Sequence, residues 1–177
     1  MTEAVCRFGV LGPLVLERDG QSVALPSGRQ RSLLALMLMA GGVSLSRDRL
    51  IDELWGERPP GSAVSMLHVY LSKLRGVLGE LLELGPAGYS LRVDGVELDV
   101  RRFETLVGQA RRDPVSAGVL LDTALELFRG EPLCDVECDG TVAEWRRILQ
   151  DQRWQAILSP VRCRPPGRSG RRAAQRA

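Results

Sequence analysis

The chain has 177 residues, and its 24 basic and 22 acidic side chains give a formal net charge of +2. Its composition, 44% hydrophobic and 26% charged, is that of a globular protein and excludes disordered, collagen-like and membrane-spanning classes. Six of the 24 basic groups are the Arg residues of 162–177, so residues 1–161 hold 18 basic against 22 acidic groups, a net charge of −4. Any nucleic-acid-binding face of the globular part must therefore be local.

The termini and the apolar runs carry no signal for export or membrane insertion. The longest apolar run, residues 33–40, is too short for a membrane helix. The first residues include Glu3 and lack the cationic and then apolar pattern of a secretory leader. We therefore expect a cytoplasmic protein.

The four cysteines indicate neither a disulfide framework nor a metal site. Cys6 and Cys163 lie far from the other two, and a disulfide framework is unusual in a cytosolic chain. Cys134 and Cys138 stand four residues apart, but a zinc site needs two more ligands, and the single histidine, His68, lies in a different part of the sequence. We expect no metal and no cofactor.

The N-terminal region predicts three short strands. Residues 6–11 and 14–18 are strand-like runs separated by a Gly-Pro pair. Asp19-Gly20 is typical of a hairpin turn, and residues 23–25 continue as a third strand.

Two helices follow. Ser27 and Gln30 fit a capping box, which predicts that an apolar helix begins here and ends near Ala40. Ser46 is a plausible N-cap for a second helix that ends near Trp55, before a loop containing two prolines.

Residues 62–78 form the most informative segment, because they predict a helix with two different faces. Its apolar stripe recurs at three- and four-residue steps and comprises Val64, Leu67, Leu71, Leu74 and Leu78. The other side carries hydroxyl groups and cations, and such a helix fits a DNA major groove. The alternative is an ordinary solvated surface helix. A hairpin over residues 81–93 follows directly, and together the two elements indicate a winged helix.

The second half reads as helical. Strand signals end near residue 95, and helices are predicted over residues 100–110, 117–128 and 141–158. We therefore expect an α+β winged helix-turn-helix domain at residues 1–94, with a small antiparallel sheet, three helices and a C-terminal hairpin wing. An all-α, TPR-like domain follows at residues 95–159, and an Arg- and Pro-rich tail at residues 160–177 is expected to be disordered.

Several motifs occur in a characteristic order along the chain. In the first half they are residues 8–14 (FGVLGPL), 28–31 (GRQR), 50–56 (LIDELWG), 70–75 (YLSKLR) and Gly88-Tyr89. In the second half they are residues 99–104 (DVRRFE), 124–130 (ALELFRG) and Pro132-Leu133. Over about residues 6–150 the chain resembles the Streptomyces antibiotic regulatory protein family. The resemblance implies an OmpR-type winged helix and a bacterial transcriptional activation domain, which we expect to be truncated, since the pattern fades after residue 147.

The resemblance also implies contact residues on the third helix. The side chains expected to face the groove are Ser65, Met66, Val69, Ser72 and Lys73. Lys73 is the best base-reading candidate, and Met66 and Val69 could contact a thymine methyl group or be partly buried instead. Tyr70 and Arg75 are expected to reach phosphates, and the alternative for Tyr70 is packing beneath the wing.

Other candidate contacts lie outside that helix. Arg29 and Arg31 are possible phosphate clamps, with a solvated helix terminus as the alternative. The wing tip carries no cation, so Arg92, placed just beyond it, is expected to contribute only weakly. Glu57 and Arg58 lie in the loop that resembles the RNA polymerase contact of OmpR-type activators, and a plain connector is the alternative.

The function implied by the resemblance is sequence-specific activation of secondary-metabolite genes. The expected partners are promoter direct repeats in double-stranded DNA, bound by side-by-side protomers as a possible homodimer, and the RNA polymerase holoenzyme. Two alternatives stay open: a helical-repeat module that only recruits proteins, and a truncated competitor that occupies operators without activating. An enzyme is not expected, because the sequence lacks a Gly-x-x-x-x-Gly-Lys loop, a Gly-x-Ser-x-Gly elbow and a His-Glu-x-x-His motif.

Overall fold

The computed structural model describes residues 6–137 and 140–160. Its strands are β1 (Cys6–Gly9), β2 (Val15–Arg18), β3 (Gln21–Val23), β4 (Leu82–Gly85), β5 (Gly88–Leu91) and β6 (Val96–Leu98). Its helices are α1 (Arg29–Met39), α2 (Arg47–Trp55), α3 (Ala63–Leu78), α4 (Asp99–Arg112), α5 (Ala117–Leu125) and α6 (Gly140–Ile157). The predicted tail lies outside the described residues, apart from Pro160.

The strands form a four-stranded sheet and a separate hairpin. The sheet order is β3-β2-β1-β6, and β4 pairs with β5 to form the wing. The prediction that strands end near residue 95 is wrong, because β6 pairs in parallel with β1, with Leu98 opposite Phe8. The sheet is therefore mixed, whereas an antiparallel one was expected. A three-residue strand has no readable periodicity, and its partner lies about ninety residues away in the sequence.

Several predicted boundaries also shift. The capping box at Ser27 is wrong, because α1 begins after Gly28, which has a φ of 62° and no side-chain cap. The helix predicted to end at Phe128 ends at Leu125. Phe128 leaves the helix and packs edge-on against Phe103 of α4, with the ring centroids 5.2 Å apart.

Helix α1 lies at the centre of the molecule. All residues from Ser32 to Leu38 are buried, so the helix is covered on every side, as its nearly continuous apolar sequence requires. It contacts α2 and α3 of the first half and α6 of the second. The buried side chains of both halves accordingly form one hydrophobic cluster.

Asp99, the first residue of α4, holds the loop between β1 and β2. Its carboxylate accepts hydrogen bonds from the backbone N–H groups of Val10 and Leu11, at 2.9 Å and 3.0 Å. Arg129 lies 3.3 Å from the same carboxylate and donates to the Pro13 carbonyl at 3.1 Å. The second half thus binds polar backbone groups that this loop would otherwise leave unpaired.

A second set of contacts, made by Leu133 and Asp135, holds the same loop. The Leu133 N–H donates to the Gly12 carbonyl at 2.7 Å. Asp135 accepts from the Leu14 N–H at 2.8 Å and forms an ion pair with Arg31 of α1. We call these contacts of Asp99, Arg129, Leu133 and Asp135 with residues 10–14 the clasp.

The wing is attached to the body by a short β-bridge. The Leu45 N–H donates to the Tyr89 carbonyl at 2.8 Å, and the Tyr89 N–H donates to the Leu45 carbonyl at 2.9 Å. Gly88 makes this approach possible, since it has a φ of 129° and a Cβ atom there would lie 2.1 Å from the Leu45 oxygen.

Gly88→Ala is therefore expected to destabilise the fold. The free energy of unfolding in urea should fall by about 2–4 kcal/mol, because the new methyl group must displace backbone. Gly85→Ala is the matched control on the same hairpin, since a Cβ there has no neighbour within 4 Å. Equal stability losses in the two variants would contradict the close approach at Gly88.

Candidate nucleic-acid interface

Helix α3 has the two faces that its sequence predicts, with one exception. Leu67, Leu71, Leu74 and Leu78 are buried. Val64, predicted to share their stripe, is 40% exposed, because Ala63 takes the buried position in the first turn.

The opposite side of α3 presents a row of small side chains. Ser65, Val69, Ser72 and Gly76 are exposed and follow one another at steps of four, three and four residues, so they lie on one line along the helix. Val69 is 51% exposed, so about half of its surface is accessible for contact. Lys73 is also exposed and lies beside this line. We call these five residues the outward row.

Met66 and Tyr70 lie at the edge of the outward row and are both half-buried. The Met66 sulfur accepts a 3.5 Å hydrogen bond from the Ser62 hydroxyl. The Tyr70 ring stacks on Trp55 of α2, with centroids 6.0 Å apart and planes inclined by 17°. Tyr70 therefore packs on α2, not beneath the wing.

Arg29 and Arg31 are engaged within the protein. The Arg29 guanidinium donates to the Leu54 carbonyl and lies 5.8 Å from the centre of the Trp55 ring. Arg31 donates to the Pro26 carbonyl at 3.1 Å and forms an ion pair with Asp135, one of the residues of the clasp. Neither side chain is arranged as the predicted phosphate clamp.

Arg75 and Arg92 lie at the base of the wing. Arg75 donates to the Leu82 carbonyl at 3.1 Å and so ties α3 to β4. Arg92 directly follows Leu91, which pairs with Leu82, whereas the turn lies at the other end of the hairpin. The sequence-based placement of Arg92 beside the tip is therefore wrong: four-residue strands separate the two by about 10 Å.

The wing offers little positive charge to a nucleic acid. Between Leu82 and Leu91 the one charged side chain is that of Glu83. Near the tip, Leu84 is 63% exposed.

The loop between α2 and α3 is accessible. Glu57 and Arg58 are exposed there.

The predicted cap of α2 is confirmed, because the Ser46 hydroxyl accepts from the Arg49 N–H at 3.2 Å.

Sequence reasoning gave no role to the residues that orient α3 and the second half. Trp55, Asp99 and Arg129 fall within motifs that were noted, but their partners are distant in the sequence, so no local pattern could assign these contacts. Gly76 could have been found by extending the helical spacing of the outward row by one step.

Residues 6–137 and 140–160 contain neither a metal-binding cluster nor a membrane-spanning helix. No group of three or more His, Cys, Asp or Glu side chains there is placed to hold a metal ion. Cys6 is buried and Cys134 is exposed, and Cys138 and Cys163 lie outside the described residues. No helix in this part of the chain is long and apolar enough to cross a bilayer.

Lys73 and Arg75, two cations of α3, differ in their contacts within the protein. Arg75→Ala should lower the free energy of unfolding by about 1 kcal/mol, because it removes the hydrogen bond to Leu82. Lys73→Ala should change it by less than about 0.5 kcal/mol, as expected at an exposed site. Urea unfolding of both variants measures the difference. Equal stabilities would mean that Arg75 does not support the wing.

Two families match successive parts of the chain. Residues 20–86 match the family described as "Transcriptional regulatory protein, C terminal". Residues 98–164 match the family described as "Bacterial transcriptional activator domain". The gap between the two matches, residues 87–97, contains β5 and the first two residues of β6.

Individual relatives align with most of this chain, but the aligned region is only part of each relative's own length. Regulatory protein AfsR of Streptomyces coelicolor is 39% identical over 164 residues, which is 88% of this chain and 16% of AfsR. Regulatory protein DnrI of Streptomyces peucetius is 31% identical over 164 residues, 83% of this chain and 60% of DnrI. The structure of Mycobacterium tuberculosis EmbR in complex with a low-affinity phosphopeptide is similar with a TM-score of 0.76 at 29% identity, over 88% of this chain and 44% of that one.

Proposed function

The chain belongs to the Streptomyces antibiotic regulatory protein family, with an OmpR-type winged helix ahead of a bacterial transcriptional activator domain, and from this premise we propose that it activates transcription by reading DNA with α3. The outward row carries this proposal. It combines an exposed helix face, small side chains and one cation.

The chemistry of the outward row suits base edges in a major groove. Lys73 can donate to guanine O6 or N7, and Val69 can contact a thymine methyl group. Ser65 and Ser72 can hydrogen-bond to bases or phosphates. Gly76 adds no side chain, so the helix backbone can approach the groove closely there.

The proposed contacts differ from the sequence-based set. We retain Ser65, Met66, Val69, Ser72 and Lys73 as groove-facing residues, with Tyr70 and Arg75 at the edge. We leave out Arg29 and Arg31, because their guanidinium groups bind protein groups and both residues are half-buried, whereas Arg75 is exposed. We also leave out Arg92, because it lies at the base of the wing.

The wider assignment rests on family membership. We propose promoter direct repeats as the DNA partner, bound by two protomers side by side in the cytoplasm. The exposed loop with Glu57 and Arg58 is proposed to contact the RNA polymerase holoenzyme. The protein is proposed to act without metal or cofactor, as a regulator and not as an enzyme.

Selection from a pool of random duplexes at near-physiological salt tests the proposal. The wild-type chain should enrich a repeated short motif, and Lys73→Ala should lose that enrichment. Lys73→Arg should retain part of it, since the cation remains. Arg92→Ala is the matched control that removes a cation outside the proposed interface, and it should enrich the wild-type motif.

The single lysine of the chain allows a direct footprint of the contact. An amine-acetylating reagent can label only Lys73 and the N-terminal amine, so the terminus serves as an internal reference. Excess enriched duplex should protect Lys73 and leave labelling of the terminus unchanged. Equal labelling of Lys73 with and without duplex would remove Lys73 from the interface.

Other outcomes favour the alternatives. Failure of the wild-type chain to enrich any duplex would favour a module that only recruits proteins. Enrichment without transcription from a matched promoter in a reporter assay would favour an operator-binding competitor.

A further inference from the structure

The last turn of α2 contacts three different helices through three consecutive residues. The Glu53 carboxylate accepts a 2.7 Å hydrogen bond from the Thr141 hydroxyl of α6. The Leu54 carbonyl accepts from Arg29 of α1. The Trp55 ring stacks on Tyr70 of α3. This turn therefore connects the second half of the molecule to the helix proposed to read DNA.

The hydrogen bond between Glu53 and Thr141 is partly shielded from solvent and lies at a helix terminus. Both side chains are half-buried. The carboxylate lies at the N-terminus of α6, where the helix dipole favours negative charge. Gly140 begins α6 with a φ of 54°, in the left-handed region that favours glycine.

A second hydrogen bond attaches the same region to α1. The Ser32 hydroxyl donates to the Glu137 carbonyl at 2.7 Å. The start of α6 is thus held against α1 and α2 together.

The position of α3 depends on this turn. The ring of Trp55 contacts both Tyr70 and the guanidinium of Arg29, and the loop into α3 begins at the next residue. Hydrogen bonds to base edges require side chains placed to within about 0.5 Å, so a small shift of the turn changes the fit of the outward row.

We propose that Thr141 is a positioning residue: through Glu53 it holds the last turn of α2, and with it Tyr70 and the outward row of α3, in the arrangement that discriminates between DNA sequences. The second half thereby sets the specificity of the first. This inference rests on the proposed function, because it assigns to Thr141 and Glu53 the placement of the helix that is proposed to read DNA.

Hydrogen exchange of the full chain without DNA tests the coupling first. In Thr141→Val the amide exchange rates of residues 50–58 and 62–70 should rise by about tenfold, since the Glu53 carboxylate loses its donor. Thr141→Ser keeps the hydroxyl and should exchange like the wild type. Thr123→Val is the matched control, because the Thr123 hydroxyl donates only within α5, to the Val119 carbonyl at 2.9 Å.

Glu53→Ala removes the acceptor and provides an independent variant in case Thr141→Val folds poorly. It should raise exchange in the same two segments. Unchanged exchange in residues 62–70 of both variants would overturn the proposal. So would an increase confined to α6, or one spread evenly over all helices.

DNA binding supplies the functional measurement. The ratio of affinities for the duplex enriched by the wild-type chain and for a shuffled duplex should fall by about tenfold in Thr141→Val and stay unchanged in Thr123→Val. Raised exchange with an unchanged ratio would overturn the role in specificity. If the wild-type chain enriches no duplex, the proposed function fails, and the exchange rates alone decide whether the coupling exists.

Discussion

The carboxylate of Asp99 is the group on which the relation between the two halves depends. Its side chain is only 12% exposed. It accepts hydrogen bonds from two backbone N–H groups at the end of β1 and pairs with Arg129, and it stands in the first turn of α4, where negative charge is favourable. A hydrogen bond to a charged group contributes about 1.5–3 kcal/mol to stability, more than a neutral hydrogen bond does. This single side chain therefore supplies much of the stability of the clasp.

The clasp explains why the two ends of the family pattern occur together. Residues 8–14 and 124–133, noted separately in the sequence, are the two sides of one contact. Their glycines fit that contact closely: a Cβ atom on Gly9 would lie 2.2 Å from the Arg129 guanidinium, and one on Gly12 would lie 2.9 Å from the Arg129 Cβ. With the halves held in this way, α6 can rest on α1 and α2 and reach Glu53.

The sequence predicted elements whose signals are local. The apolar stripe of α3, the wing hairpin and the helices of the second half follow from spacing, and the structure has them near their predicted positions. Strand β6 was not predicted, because its three residues show no strand pattern of their own and are identified as a strand only by their pairing with β1. The same reason applies to Arg29 and Arg31, since a cation near a helix start looks available to phosphate until its distant partners, Leu54 and Asp135, are known. For Arg92, the length of the strand between it and the turn decided which end of the wing it occupies.

Calorimetric unfolding of the full chain tests most directly whether the clasp makes the two halves one cooperative unit. The wild-type chain should melt in a single transition whose calorimetric and van't Hoff enthalpies agree. Asp99→Asn should lower the Tm by about 4–8 °C and keep a single transition, while the same change at exposed Asp94 should leave the Tm unaltered. Two resolved transitions in the wild type, or an unchanged Tm in Asp99→Asn, would contradict a molecule in which the second half holds and orients the first half, which we propose reads DNA.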